Sequence, residues 1–234
     1  MEKGKLLYEG KAKQIYETAV QNEALVYFKD DATAFNGEKK GTIHSKGILN
    51  NAISSLFFDI LGKEAVPNHF IKKVDERSML VRRLDIIPIE VAVRNLAAGS
   101  LAKRLGWEEG RLLPHPVVEF YYKDDALGDP MINRYHVAAL GLANPEELEL
   151  LEQLGLRVNN ILKAYLKARH LILVDFKLEF GRYRGRILLG DEISPDTCRF
   201  WDSDTRQKLD KDRFRRDLGQ VEEAYQEIYN RIKG

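Results

Sequence analysis

Asp175, Lys177 and Glu179 occupy every second position of Leu171-Ile172-Leu173-Val174-Asp175-Phe176-Lys177-Leu178-Glu179-Phe180-Gly181. In an extended strand such positions share one face, so the spacing predicts an ionic face backed by an apolar face of Phe176, Leu178 and Phe180. A three-residue loop at Arg184-Gly185-Arg186 would pair Tyr183 with Ile187 and therefore Glu179 with Asp191 across an antiparallel ladder; a two-residue loop would put Asp191 on the other face. Two facing carboxylates disfavour joint ionisation unless a cation lies between them, and hard oxygen ligands beside a phosphate-sized site suit Mg²⁺. The first hypothesis is a metal–nucleotide site. An exposed hairpin whose charges pair with one another is the ordinary alternative. The four apolar residues that open the strand favour the first, because they bury its start on both faces.

Three further clusters carry chemistry. Gly10-Lys11-Ala12-Lys13 places two lysines on one face beside a glycine that permits close backbone approach, a candidate for a nucleotide phosphate chain, with solvated lysines as the commoner explanation. Glu90 and Arg94 interrupt an apolar strand, and Asn95-Leu96-Ala97-Ala98-Gly99-Ser100 leads into a short helix with Ser100 expected at its N-cap. An arginine, a serine hydroxyl and a helix start can cradle a phosphate monoester; a capped helix beside a Glu90–Arg94 ion pair is equally compatible. Ser194-Pro195-Asp196-Thr197-Cys198-Arg199 would place Arg199 near Asp191, within reach of an anionic substrate. The acids of Asp124–Asn133 are read as turn formers, and His115 and His136 as isolated polar residues rather than metal ligands.

The elements that position these residues follow from periodicity. Leu6–Glu17 and Ala24–Lys29 read as short antiparallel strands, and Asp30–Gly41 as a binding-length loop. A helix capped by Ser45 and ended by Gly62 covers the sheet. Phe70–Val74 and Met79–Leu84 are two more strands, and a subdomain boundary after residue 83 gives a cleft in which backbone near Val81 would read a base edge. Asn144-Pro145-Glu146-Glu147 is a strong helix start that delivers the chain to the Leu171 strand. From Asp210 a last helix carries Phe214, Leu218, Val221, Tyr225, Ile228 and Ile232 on one face, with no chemistry assigned.

The 234 residues hold 37 Lys plus Arg against 36 Asp plus Glu, a net charge of +1, which calls for neither nucleic acid nor an anionic membrane. The lone Cys198 excludes an internal disulfide and fits a reducing compartment. No signal peptide or membrane-length apolar run is present, so a cytoplasmic chain is expected.

Taken together, Ile86-Ile87-Pro88-Ile89-Glu90 through Arg94-Asn95-Leu96-Ala97-Ala98-Gly99-Ser100, and Leu173 through Gly181, closely resemble the two signature segments of the SAICAR synthetase (phosphoribosylaminoimidazole-succinocarboxamide synthase) family. The likeness extends to Tyr8–Lys13, Gly190-Asp191-Glu192, Ser194-Pro195-Asp196 and Asp210–Arg215. It implies an α+β fold of two subdomains, residues 1–83 and 84–234, related to ATP-grasp, with antiparallel sheets, flanking helices and a nucleotide cleft. It also implies ATP and Mg²⁺, and ligation of the carboxylate of CAIR, a phosphoribosyl aminoimidazole carboxylate, to L-aspartate through an acyl phosphate. By the same resemblance Lys11, Ala12 and Lys13 cover the phosphates, Glu179 and Asp191 are Mg²⁺ ligands, and Arg94, Ser100 and Arg199 hold the CAIR phosphate; Lys177, contacting the transferring phosphate, and Asp175, beside it on the same face and read as touching a ligand or orienting Lys177, are the catalytic residues. Asn36 stands where some relatives carry Asp. A homo-oligomer, a dimer in the first instance, is suggested. The competing readings are an ATP sensor without turnover, disfavoured by the intact Lys177, Glu179 and Asp191, and an RNA binder, disfavoured by the balanced charge.

Overall fold

The structure, a computed structural model, describes residues 3–34 and 38–234. Two antiparallel sheets carry the chain, as the α+β expectation requires. The first has the order β1-β2-β3-β7-β6, from β1 (Leu6–Glu9), β2 (Lys13–Glu17), β3 (Glu23–Phe28), β6 (Phe70–Lys73) and β7 (Ser78–Arg82). The second runs β10-β9-β8-β11-β12, from β8 (Asp85–Leu96), β9 (Leu112–Tyr122), β10 (Met131–Ile132), β11 (Leu171–Tyr183) and β12 (Arg186–Leu189); β13 (Cys198–Asp202) pairs with the first half of β11. Asp30–Gly41 is not wholly a loop: β4 (Asp31–Ala34) and β5 (Lys39–Thr42) form a hairpin. The Asn36 position lies outside the described residues.

Helix α1 (Lys46–Lys63) buries Leu49, Ile53, Phe57, Phe58 and Leu61 and also Lys46, Asn50, Asn51 and Ser54, because it is enclosed by the first sheet on one side and by α6 (Val221–Lys233) on the other. Ser45 precedes it with φ 59° and no side-chain cap, and the helix runs one residue past Gly62. Helix α4 (Pro145–Lys167) starts as its sequence dictates: Asn144 accepts the Glu147 N–H at 2.7 Å while Glu147 accepts the Asn144 N–H at 3.0 Å, a reciprocal capping box. Its stripe of Leu148, Leu151, Leu154, Val158, Leu162 and Leu166 lies on the second sheet. Gly155 lets the two approach, since a Cβ there would stand 3.2 Å from Val91 and 3.3 Å from Val93. Helix α3 (Arg134–Leu140), which the sequence reading passes over, is capped by Asn133 and by His136, whose Nδ1 accepts the Asn133 N–H at 3.1 Å.

The expected continuous C-terminal helix from Asp210 is interrupted. A single turn, α5 (Asp212–Arg215), is followed by Asp217, Gly219 and Gln220 with φ between 49° and 69° before α6 begins. The buried Arg213 guanidinium takes the carbonyls of Lys208, Leu218 and Gly219, which fixes the break.

Candidate active site

Strands β9, β8 and β11 run side by side, with Arg94 opposite Asp175 and Val117, Ala92 opposite Lys177 and Glu119, and Glu90 opposite Glu179 and Tyr121. This register gathers Glu119, Tyr121, Glu90, Arg94, Asp175, Lys177 and Glu179 on one face, while Val91, Val93, Phe176, Leu178 and Phe180 fill the core on the other. The alternation read in Asp175–Glu179 is therefore realised. It also recurs, unread, in Glu119-x-Tyr121-x-Lys123 of the adjoining strand.

At one end of the face lies a carboxylate cluster. Lys123 donates to Glu179 at 2.7 Å, Lys13 pairs with Asp191 and, at 2.9 Å, with Glu192, and Lys177 pairs with Glu90. Burial and repulsion from Asp191 push the Glu179 carboxyl up to about 7, against the pull of Lys123. Burial would raise Asp191 too, but the Lys13 ammonium outweighs it and holds that carboxyl below the usual range. Lys13 and Lys123 are lowered by burial and raised more strongly by these acids, so both stay charged. Glu179 and Asp191 thus repel each other across a site now neutralised by two lysines.

Asp191 reaches this cluster by a route other than the expected one. The hairpin loop has two residues, Arg184 and Gly185, both at positive φ (50° and 75°), a turn whose twist matches that of the strands. Tyr183 pairs with Arg186, and Gly190 rather than Asp191 stands opposite Glu179, donating to its carbonyl at 2.8 Å. The ladder ends there. Asp191 takes a left-handed conformation, φ 56°, which turns its carboxylate back toward Lys13. His69 donates its backbone N–H to the Leu189 carbonyl at 2.9 Å, and burial lowers its imidazole to about 4 beside Asp191.

At the other end lies a cavity of about 230 Å³ whose lining includes Arg94, Ser100, Tyr121, Lys177, Arg199 and Arg215. Arg94 donates to Glu119 at 2.6 Å, Asp175 at 2.8 Å, and Ser100 Oγ and Tyr121 Oη at 3.1 Å each. Arg199 donates to both Asp175 oxygens, at 2.9 and 2.8 Å. Three readings are corrected here. The Glu90–Arg94 pair does not form, because Lys177 takes Glu90 and two other acids take Arg94. Ser100 is inside α2 (Gly99–Leu105), whose N-cap is Ala98. Asp175 orients the two arginines, not Lys177.

The Gly10–Lys13 turn is closed by a 2.9 Å bond from Gly10 N–H to the Lys13 carbonyl and anchored by Lys29 N–H on the Ala12 carbonyl at 2.8 Å. Lys11 reaches Asp125 at 2.8 Å, which gives one acid of the β9–β10 loop a role beyond turn formation. Val81 is placed differently from its expectation: it lies on an inner strand, paired with Ala24 on one side and Phe70 on the other, with its side chain buried in the core. Its own backbone is paired within the sheet on both sides. Lys123, Glu119, Tyr121, Glu192 and Arg215 are the residues the sequence reading missed.

Glu179 and Asp191 offer hard oxygen donors and a mutual repulsion that a divalent ion would relieve, so the donor chemistry fits Mg²⁺. Among the described residues no group of three or more His, Cys, Asp or Glu side chains is arranged for a metal. A two-carboxylate site completed by phosphate oxygens and water is what Mg²⁺ ordinarily uses with nucleotides.

Comparison with known proteins gives a consistent result. The family model described as SAICAR synthetase matches residues 6–232. A phosphoribosylaminoimidazole-succinocarboxamide synthase of Desulfitobacterium hafniense strain Y51 is 61% identical over 233 residues, covering 100% of this chain and 98% of its own length. Among solved structures, the phosphoribosylaminoimidazole-succinocarboxamide synthase of Ehrlichia chaffeensis superposes with a TM-score of 0.96 at 45% identity over 98% of each chain. A SAICAR synthetase in complex with ADP superposes with a TM-score of 0.94 at 52% identity over 96% of each.

Proposed function

The chain belongs to the SAICAR synthetase family, an ATP-dependent ligase of purine biosynthesis that joins CAIR to L-aspartate, and we propose how its side chains divide that work. The observation that carries the proposal is the continuous polar face of β9, β8 and β11, which links a lysine-neutralised carboxylate cluster to an arginine-lined cavity. The cluster takes the phosphates of ATP and the cavity takes the phosphate of CAIR. The boundary between residues 83 and 84 then separates the sheet that brings Lys11 and Lys13 over the nucleotide from the sheet that forms the floor.

Glu179 and Asp191 would hold Mg²⁺, which when bound neutralises phosphate charge. Lys13 and Lys123, released from these acids, turn their ammonium groups to the phosphate oxygens; Lys11 and the Ala12 backbone close over them. Lys177 is half exposed and lies between the cluster and the cavity, where it stabilises the phosphoryl group in transit. A CAIR carboxylate oxygen bonds to the γ-phosphorus as the bond to ADP breaks, giving an acyl phosphate. The aspartate amine then bonds to the acyl carbon, inorganic phosphate leaves and the nitrogen gives up a proton. Arg94, Ser100 and Arg199 hold the ribose phosphate fixed through both steps, with Asp175 aligning the two guanidinium groups. This is catalysis by positioning and charge compensation.

Family membership also supports a homo-oligomer, a dimer in the first instance, and a cytoplasmic location; no helix among the described residues is long and apolar enough to cross a membrane. The test is ADP release with CAIR, aspartate and Mg²⁺, omitting each in turn. Turnover that persists without CAIR or without aspartate refutes the ligase assignment, and a bound nucleotide with no turnover favours a sensor.

A further inference from the structure

Arg199 is held from three directions, and only Asp175 belongs to the polar face described above. From α5, Asp212 accepts Arg199 Nε at 2.9 Å on one carboxylate oxygen and Arg215 Nη1 on the other. Both arginines line the cavity, whereas Asp212 stands behind them with its side chain 4% exposed. Asp212 is itself fixed. Its backbone N–H donates to Asp210 Oδ1 at 2.8 Å, and the fully buried Asp210 accepts the Phe200 N–H at 2.9 Å through its other oxygen. Phe200 follows Arg199 on β13, so the support closes into a ring that begins and ends beside the same arginine.

The third direction is Gly99. It adopts φ +51°, and a Cβ there would stand 2.9 Å from Arg199 Cζ and closer still to Nη2. The guanidinium occupies the space a side chain would need. The sequence run Ala98-Gly99-Ser100 therefore does two things at once: it presents the Ser100 hydroxyl to Arg94 and leaves a slot for Arg199.

We propose that Asp212 is a positioning residue for the substrate-phosphate cavity, aligning Arg199 and Arg215 as a pair along one edge, with Gly99 providing the slot that the Arg199 guanidinium fills. The proposal rests on reading the cavity as the CAIR phosphate site. An anion with three outward oxygens needs guanidinium groups fixed in orientation, and a bridging carboxylate fixes two at once. Without it each arginine regains rotamer freedom that ligand binding must remove.

The experiment is steady-state kinetics for all three substrates on Asp212→Asn, Gly99→Ala and Arg199→Ala, with Asp212→Asn repeated in the Arg199→Ala, Arg215→Ala background. The loss of one charge-assisted alignment corresponds to a rise of about tenfold or more in KM for CAIR. The expected result is that rise for Asp212→Asn and Gly99→Ala, unchanged KM for ATP and aspartate, and little further effect of Asp212→Asn once both arginines are gone. An unchanged KM for CAIR in Asp212→Asn, or an equal rise for all three substrates, overturns the proposal. If Arg199→Ala itself leaves KM for CAIR unchanged, the phosphate-site reading fails instead. Should Asp212→Asn not fold, Asp212→Glu carries the same test, and failure of both to fold overturns positioning in favour of a purely structural role.

Discussion

Lys13 offers the sharpest test of the carboxylate cluster, because it pairs with Asp191 and Glu192 where the metal-bound nucleotide is proposed to sit. Lys13→Met keeps the stem and removes the ammonium. The Lys13 and Asp191 side chains are 15% and 25% exposed and Glu192 only 3%, so the loss falls below that of a fully buried pair, at about 2 kcal/mol. For a chain of this size that lowers Tm by about 4–8 °C. The acids left behind then repel one another without their cation. Mg²⁺ at ten times its dissociation constant would return about 1.4 kcal/mol, or about 3–6 °C. In the parent protein the same Mg²⁺ must compete with Lys13 and shifts Tm less. The assay is thermal unfolding without nucleotide at pH 8, over a MgCl₂ series, against NaCl of equal ionic strength to separate binding from screening. Because Glu179 is pushed up to about 7, the Mg²⁺ shift should shrink as pH falls from 8 to 6 and that carboxyl takes up its proton. A Mg²⁺ shift in Lys13→Met no larger than in the parent would refute the view that lysine and metal answer the same acids.

Arg94→Ala should raise KM for CAIR by about a hundredfold and that for ATP by less than about twofold; equal effects would contradict the phosphate assignment. Lys46 is fully buried and donates to Asp196 at 2.7 Å, so Lys46→Met should cost about 3 kcal/mol in urea unfolding. Adding Asp196→Asn should recover part of that loss, and strict additivity of the two would rule out their coupling. Arg199 and Arg215 outweigh burial and hold the Asp212 carboxyl at about 2. The native state therefore binds fewer protons than the unfolded chain between pH 4 and 2, and the stabilisation, present above pH 4, is lost as pH falls through that window, by about 2 kcal/mol. Asp212→Asn should flatten that acid limb, measured as unfolding free energy at pH 6, 4 and 2.5.

Much of the site was legible because period-two alternation is local information. Asp175, Lys177 and Glu179 lie together as any strand would place them, and the capping box at Asn144 needs only four residues. What escaped depended on backbone conformation or on the rest of the fold. Arg184-Gly185 forms a two-residue turn, which alone would have carried Asp191 to the wrong face, and the left-handed turn at Asp191 compensates. Val81 illustrates a different limit: a strand sequence does not disclose that it will be an inner strand with both neighbours in place. Arg215 was concealed inside an apparent long helix because helical spacing continues across a break that Arg213 enforces from side-chain contacts to carbonyls. Arg94 chose its partners by charge competition across three strands, which no single segment contains.

The enclosure of α1 has a consequence for how the protein comes into being on the ribosome. One face of that helix meets the first sheet, made from residues 6–82, but another is covered by α6, which is synthesised long after α1, and its Lys46 waits for Asp196. Until those partners emerge, the Lys46 ammonium and the Ser54 hydroxyl, which donates to the Ile193 carbonyl at 3.1 Å, have no folded surroundings to accept them. Productive folding is therefore expected to be post-translational for the N-terminal half, with α6 as the element that locks it. A nascent chain stalled just before Val221 should remain protease-sensitive throughout α1, although five strands of its first sheet are already complete.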